Sequence, residues 1–397
     1  MINTQLVLTP TTTPTPTPLL EPLIYSACSK KQIMALFGDI EIAFLMFQEE
    51  GRHKIKIEQM DTFPQSNEIK LSPAIWSMVA PHQTPAQFAP PQTTNYHITM
   101  NIEQKTIHLY VVFYGNRSST SAELYDIVQK IYVWLWILYS PSATSVSPPA
   151  TCSQTLSIYL YMTPNKKELP IRRYQVLDEN NCNTAYTTAC KKHTQIVLFR
   201  KEEWFKVFIH ETFHCFGMDF SHLTAYNFLA KKKIEKRFGL APALWKGDMS
   251  ETFAEISAEY VYIAFHVFAT ATASQQPKRR ALWTKWKEQI EKERVFSCKQ
   301  AKKVLNYYNG QEYRENTNVF CYYVLKSLCM YHLDDFLDWV CENNDVPRIG
   351  GVGFTKEKVL SFCDFILYIN TDAEYHTYTE KGVRVFSTDN SLRMVSV

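Results

Sequence analysis

Residues 202–220 constrain this chain more than any other stretch, because three polar residues sit inside an otherwise apolar run. The segment carries His210, Glu211 and His214 in the order His-Glu-x-x-His. Trp204, Phe205, Val207, Phe208, Ile209, Phe213 and Phe216 surround them. A helix that is apolar on nearly every side is a buried helix. Burying two imidazoles and a carboxylate is costly without partners, so the segment needs a hydrogen-bonded core or a metal. Positions i and i+4 lie on one helical face about one turn apart, which sets the imidazoles side by side for one Zn²⁺. Glu211 adjoins them and can take the proton of a water that zinc acidifies to a pKa of about 7. Three fixed positions recur by chance in roughly one chain in fifty of this composition, so context must carry part of the assignment.

The context is a strand before the motif and helices after it. Asn95–Ile102 and Thr106–Tyr114 alternate in polarity around Glu-Gln-Lys and predict a β-hairpin. Ser121–Tyr139 reads as a buried helix, Ser157–Met162 as a strand, and residues 194–200 as a strand leading into the motif helix. Strand, short turn and apolar H-E-x-x-H helix resemble the order found in zincins, and that resemblance implies that the 194–200 strand is, by position, the edge strand on which an extended peptide would pair. Leu223–Phe238, Pro277–Tyr308, Thr317–His332, Asp334–Asn343 and Thr355–Tyr368 read as helices. Residues 1–20 form a Thr/Pro-rich, extended, disordered arm, and 21–92 an N-terminal region of no evident chemistry with a Pro/Gln/Thr-rich boundary candidate at 72–93. Residues 93–220 and 221–372 are expected as two subdomains, followed by a loosely structured tail at 373–397.

Composition excludes several functions. A net charge of +3 from 42 basic and 39 acidic residues leaves no electrostatic footprint for nucleic acid. Eleven glycines with no G-x-G-x-x-G or P-loop pattern argue against a phosphate-binding loop. The apolar runs Ile131–Tyr139 and Tyr260–Ala273 are too short or too interrupted to span a bilayer, and the N-terminus has no signal-peptide pattern. None of the ten cysteines forms C-x-x-C, and Cys215, Cys321 and Cys329 lie in apolar helical contexts. They read as free, buried thiols of a reducing, cytoplasmic compartment.

A catalytic zinc takes three protein ligands and keeps a fourth position open. In metzincins the third is a histidine, but Phe220 occupies that position here, although Gly217 fits. His222 and Asp219 are nearby alternatives. A later helix offers Glu251, Glu255 and Glu259 at i, i+4 and i+8, with Ser250 as a plausible N-cap. Glu251 is the expected third ligand. Glu255 is the expected partner of a ligand histidine, because a carboxylate on the far ring N–H fixes the tautomer and strengthens the ligand. The donor for a developing oxyanion is sought in Tyr322 and Tyr323, with Arg314 and His266 as further candidates.

The run Phe199–His214, the Glu251–Glu255 helix and Asn318–Lys326 together resemble the H-E-x-x-H zinc metallopeptidases of large nucleocytoplasmic DNA viruses. The resemblance spans about residues 95–370. It implies a zincin-like α+β fold, with a small mixed sheet and active-site helix followed by a mostly helical C-terminal half. It further implies a gluzincin-like site holding Zn²⁺ through His210, His214 and Glu251, with Glu211 as base, and a location in host cytoplasm or virion. The expected activity is hydrolysis of a peptide or protein substrate. The alternative is a non-catalytic or virion-associated structural protein that retains the fold and the zinc.

Overall fold

The computed structural model describes residues 20–49, 51–80, 93–115, 121–146, 148, 151–172, 175–272, 278–308, 311–344, 348–382, 385 and 389–397. Most of the Thr/Pro-rich arm and most of the 72–93 boundary candidate lie outside the described residues. Among the described residues the fold is α+β, a six-stranded mixed sheet with twelve helices, and about 54% helical. No helix among the described residues is long and apolar enough to cross a membrane.

The sheet order is β1 (Ile55–Met60), β2 (Thr93–Ile102), β3 (Lys105–Tyr114), β4 (Thr155–Met162), β6 (His193–Leu198) and β5 (Ala185–Thr187). The expected hairpin is β2–β3, with Ile102 opposite Lys105. Glu103 and Gln104 both take positive φ, as a two-residue hairpin turn requires. β3, β4 and β6 run parallel, and β5 returns antiparallel along β6. The 194–200 segment is therefore an inner strand, and the three-residue β5 is the edge. The apolar run Ile196–Phe199 announces a strand but not its neighbour, and the three residues of β5 leave no periodicity to read.

Side-chain alternation splits the sheet faces. Leu156, Ile158 and Leu160 face the main core, which includes helices α3 (Ser121–Tyr139) and α5 (Trp204–Cys215); the one-turn helix α4 (Glu179–Cys182) lies between them in sequence. Tyr159, Tyr161, Val197 and Phe199 face the other side, beneath helix α2 (Pro73–Val79). Helix α1 (Ala27–Glu49) joins the same main core, and β1 pairs with β2 along its full length. Trp134 of α3 donates its indole N–H to Thr212 of α5 at 2.9 Å inside the core.

The C-terminal half contains α6 (Thr224–Phe238), α7 (Met249–Thr272), α8 (Arg279–Tyr307) and a π-helical turn at Phe320–Leu325 that continues into a helix at Lys326–Tyr331. Helices at Leu333–Asn343 and Lys356–Ile369 follow. Asp248, not Ser250, caps α7, its carboxylate accepting from the Ser250 N–H at 3.0 Å. Of the expected loose tail, the described residues 389–397 are packed against the rest of the fold. Leu392, Met394 and Val395 are buried, and the Glu203 carboxylate accepts from the Met394 and Val395 N–H groups at 2.8 Å each. Glu293 accepts from the Ser396 N–H, and Lys326 donates to the Met394 carbonyl at 2.9 Å. These anchors are buried charges far away in sequence, so the polar composition of the segment concealed its packing.

Cys215, Cys321 and Cys329 are free and buried as expected, but four other cysteines are not thiols. Cys28 pairs with Cys341 and Cys152 with Cys190 as disulfides, while six others are free and buried. Spacing along the chain carries no information about pairings that the fold brings together.

Candidate metal centre

Helix α5 starts at Glu203, which holds a left-handed backbone with φ of 57° and makes no side-chain cap. Its carboxylate is committed to Lys167 at 2.5 Å and to the C-terminal segment. Glu203 is thus pinned by residues remote in sequence, which offset the strain of its backbone. The helix ends before Gly217, whose φ is 66° and whose missing Cβ leaves room for the Cys152 and Cys190 sulfurs at 3.0 and 3.2 Å. Past that turn the chain folds back on the helix.

Helix α7 packs antiparallel to α5. Phe205 meets Tyr262 and Phe265, Phe213 meets Phe253, and His214 meets Glu251. The three glutamates of α7 consequently face inward, with Glu255 and Glu259 buried. Glu251 Oε2 lies 3.1 Å from His210 Nε2 and 3.2 Å from His214 Nε2, and the two Nε2 atoms are 3.0 Å apart. These three residues form the one candidate metal-ligand cluster among the described residues. Two ligands about 2.0–2.1 Å from one zinc at tetrahedral angles are roughly 3.3 Å apart, so the triangle suits zinc in both size and donor type.

Each imidazole has a carboxylate behind it. His210 Nδ1 lies 3.0 Å from Glu255 Oε2, and His214 Nδ1 contacts Asp219 Oδ2. The His210–Glu255 contact is a close charge pairing rather than a well-aligned hydrogen bond. Asp219 does fold back across Gly217, but it reaches the far nitrogen of His214 and not the metal face. His222 is exposed and lies outside the cluster. Glu255 is held in turn by Lys206, which is fully buried. Asn318 Nδ2 approaches Glu251 Oε1 at 3.4 Å, and its own oxygen accepts from the Asp248 N–H at 3.3 Å.

Burial disfavours the cationic form of both histidines, yet the carboxylates outweigh it. Glu251 and Glu255 raise His210, and Asp219 and Glu251 hold His214 well above the usual range. Burial acts against ionised Glu251 as well, but His214 and His210 hold its carboxyl far below the usual range. Glu211 differs. Desolvation raises it to about 6 against the nearby histidines, with Glu251 and Glu255 adding to the rise. A carboxylate poised near neutrality suits proton transfer.

Glu211, His214 and Glu251 line a cleft of about 370 Å³, together with Tyr322, Asn318 and the β5 residues Ala185, Tyr186 and Thr187. Buried Arg200 fixes this wall by donating to the Asn183 carbonyl at 2.9 Å. Tyr322 has its ring 6.2 Å from that of His210. Burial, then Glu251, raises the Tyr322 phenol well above its usual value, so it stays a neutral donor.

Other candidates fall elsewhere. Tyr323 donates to the Leu392 carbonyl at 2.6 Å and does not line the cleft. Adjacent residues on a helical turn point roughly 90–100° apart, so only one of the two tyrosines can face the metal site. His266 stands fifteen residues beyond Glu251 on α7, about 22 Å along the axis, beside a separate apolar hollow. Arg314 is absent from the cleft lining. Sequence reading missed Lys206, Asn318 and the orienting role of Asp219. A lysine inside an apolar helix is the signal that could have exposed Lys206, because a buried lysine needs an anionic partner.

No protein-family model, no curated protein and no solved structure matches this chain.

Proposed function

We propose that this chain is a zinc-dependent metallopeptidase with a zincin-like, gluzincin-like site. The observation that carries the reading is the position of Glu251, whose Oε2 lies 3.1 and 3.2 Å from the two motif imidazoles at the base of an open cleft. His210, His214 and Glu251 would hold the zinc. Zinc bound there supplies Lewis-acid chemistry, polarising a carbonyl and acidifying water.

The protein's own groups supply the rest. Glu211 accepts a proton from the attacking water and returns it to the leaving amine, a role its raised pKa favours. Tyr322, kept neutral, offers an O–H to the developing oxyanion. Asp219 holds the His214 imidazole in one tautomer and orientation, and the Glu255 carboxylate, 3.0 Å from His210 Nδ1, favours the electron-rich orientation of the other ring electrostatically. β5 pairs with β6 on one side, and its residues line the cleft on the way to Glu211. An extended peptide would add to that edge as a further strand.

The test combines zinc content with digestion of an unbiased peptide library. Glu211→Gln should keep zinc and lose about 10²–10⁴-fold in turnover. A protein that binds zinc at these residues but cuts nothing, with or without Glu211, would support a structural role instead.

A further inference from the structure

The cleft has a side pocket that the chemistry above does not use. It opens beside Glu211 and shares Asn183, Ala185, Glu211 and Tyr322 with the main cleft. Val207, Thr184, Met394, Cys182 and the buried charged residues Lys167 and Glu255 also line it. Its volume is about 20 Å³, room for one small group.

The walls cannot readily retreat. Val207 is on α5, Ala185 on β5 and Tyr322 on the π-helical turn. Met394 is held through its backbone by Glu203 and Lys326. The pocket also includes His210 and Glu211 in its lining. Successive Cα atoms are about 3.8 Å apart, so only a residue flanking the scissile bond can reach a pocket walled by the reacting groups.

We propose that this pocket sets substrate specificity, restricting one residue beside the scissile bond to glycine, alanine or serine. The inference rests on the peptidase reading and adds the substrate class to it.

Two measurements on the full-length, zinc-loaded protein test it. The wild type digests a mixed peptide library and the residues flanking each cut are read. Separately, Glu211→Gln is used to select binding peptides from the same library. One flanking position should exclude leucine and phenylalanine relative to alanine by about 100-fold or more in both measurements. Met394→Ala should admit valine and leucine at that same position, and Val207→Ala on another wall should do likewise. Equal acceptance of large residues at both flanking positions overturns the inference, as does a profile unchanged by both enlarging variants. Restricted binding without cleavage would keep the pocket and remove the peptidase reading. Failure to bind or cut any peptide would remove both.

Discussion

Asp219→Ala separates the two roles that a carboxylate near His214 could have. Asp219 is fully buried and contacts His214 Nδ1, and its other oxygen accepts from the Ser221 N–H at 3.1 Å and hydroxyl at 2.8 Å. If it acts only behind the imidazole, its loss should weaken zinc affinity about 10–100-fold, or about 1.4–2.7 kcal/mol. Glu251→Ala is different in kind, because Glu251 Oε2 is the atom that closes the ligand triangle. Two imidazoles alone should not retain zinc at micromolar concentrations. His222→Ala should leave affinity unchanged, since that side chain is exposed and outside the cluster. Affinity is read by competition with a chromogenic chelator. A parallel thermal scan with and without zinc uses the stabilisation that a ligand of the native state confers, about 1.4 kcal/mol per tenfold in occupancy ratio. Zinc abolished by Asp219→Ala but retained by Glu251→Ala would make Asp219 the ligand and refute the assignment. Wild-type affinity in Asp219→Ala would show that the contact behind His214 contributes nothing.

Three further outcomes follow from the same geometry. Tyr322→Phe should lower turnover about 10²–10³-fold at unchanged zinc content, while Tyr323→Phe should leave turnover alone, as paired kinetics and metal analysis would show. Lys206→Met leaves Glu255 buried without its cation and should cost about 3–5 kcal/mol in urea unfolding, of which Lys206→Met combined with Glu255→Leu should recover a substantial part. Burial raises Glu315 from 4.5 to about 7 despite hydrogen bonds from Tyr313, Lys246 and Phe320. The folded state therefore binds that proton more tightly than the unfolded state, and this contribution to stability is lost as pH rises from about 4.5 to 7, up to about 3 kcal/mol. Urea midpoints at pH 4.5 and 7.5 should show this loss in the wild type and not in Glu315→Gln; equal pH dependence in the two would sink it.

Local pattern was enough to read the β2–β3 hairpin, the buried helix at Ser121–Tyr139, the motif helix and the helix that presents Glu251. Those features rest on periodicity and on turn chemistry within a few residues, which any window of the chain displays. The pairing of His210 and His214 on one face is likewise a property of a single helix. Bringing Glu251 to them needed the antiparallel packing of α7 on α5, a consequence of which apolar faces meet. Four other features lay beyond any window. β5 is too short to show alternation, yet it displaces the 194–200 strand from the edge. The choice of Tyr322 over Tyr323 depends on the rotation of the π-helical turn about its axis. Cys28 reaches Cys341 across 313 residues. The Met394–Ser396 segment is fixed by Glu203, Lys326 and Glu293, each drawn from a different part of the chain. Buried charges pair because leaving water alone is costly, and the partner is whichever opposite charge the fold places within reach. That partner is a property of three-dimensional packing, so only the tertiary structure decided it.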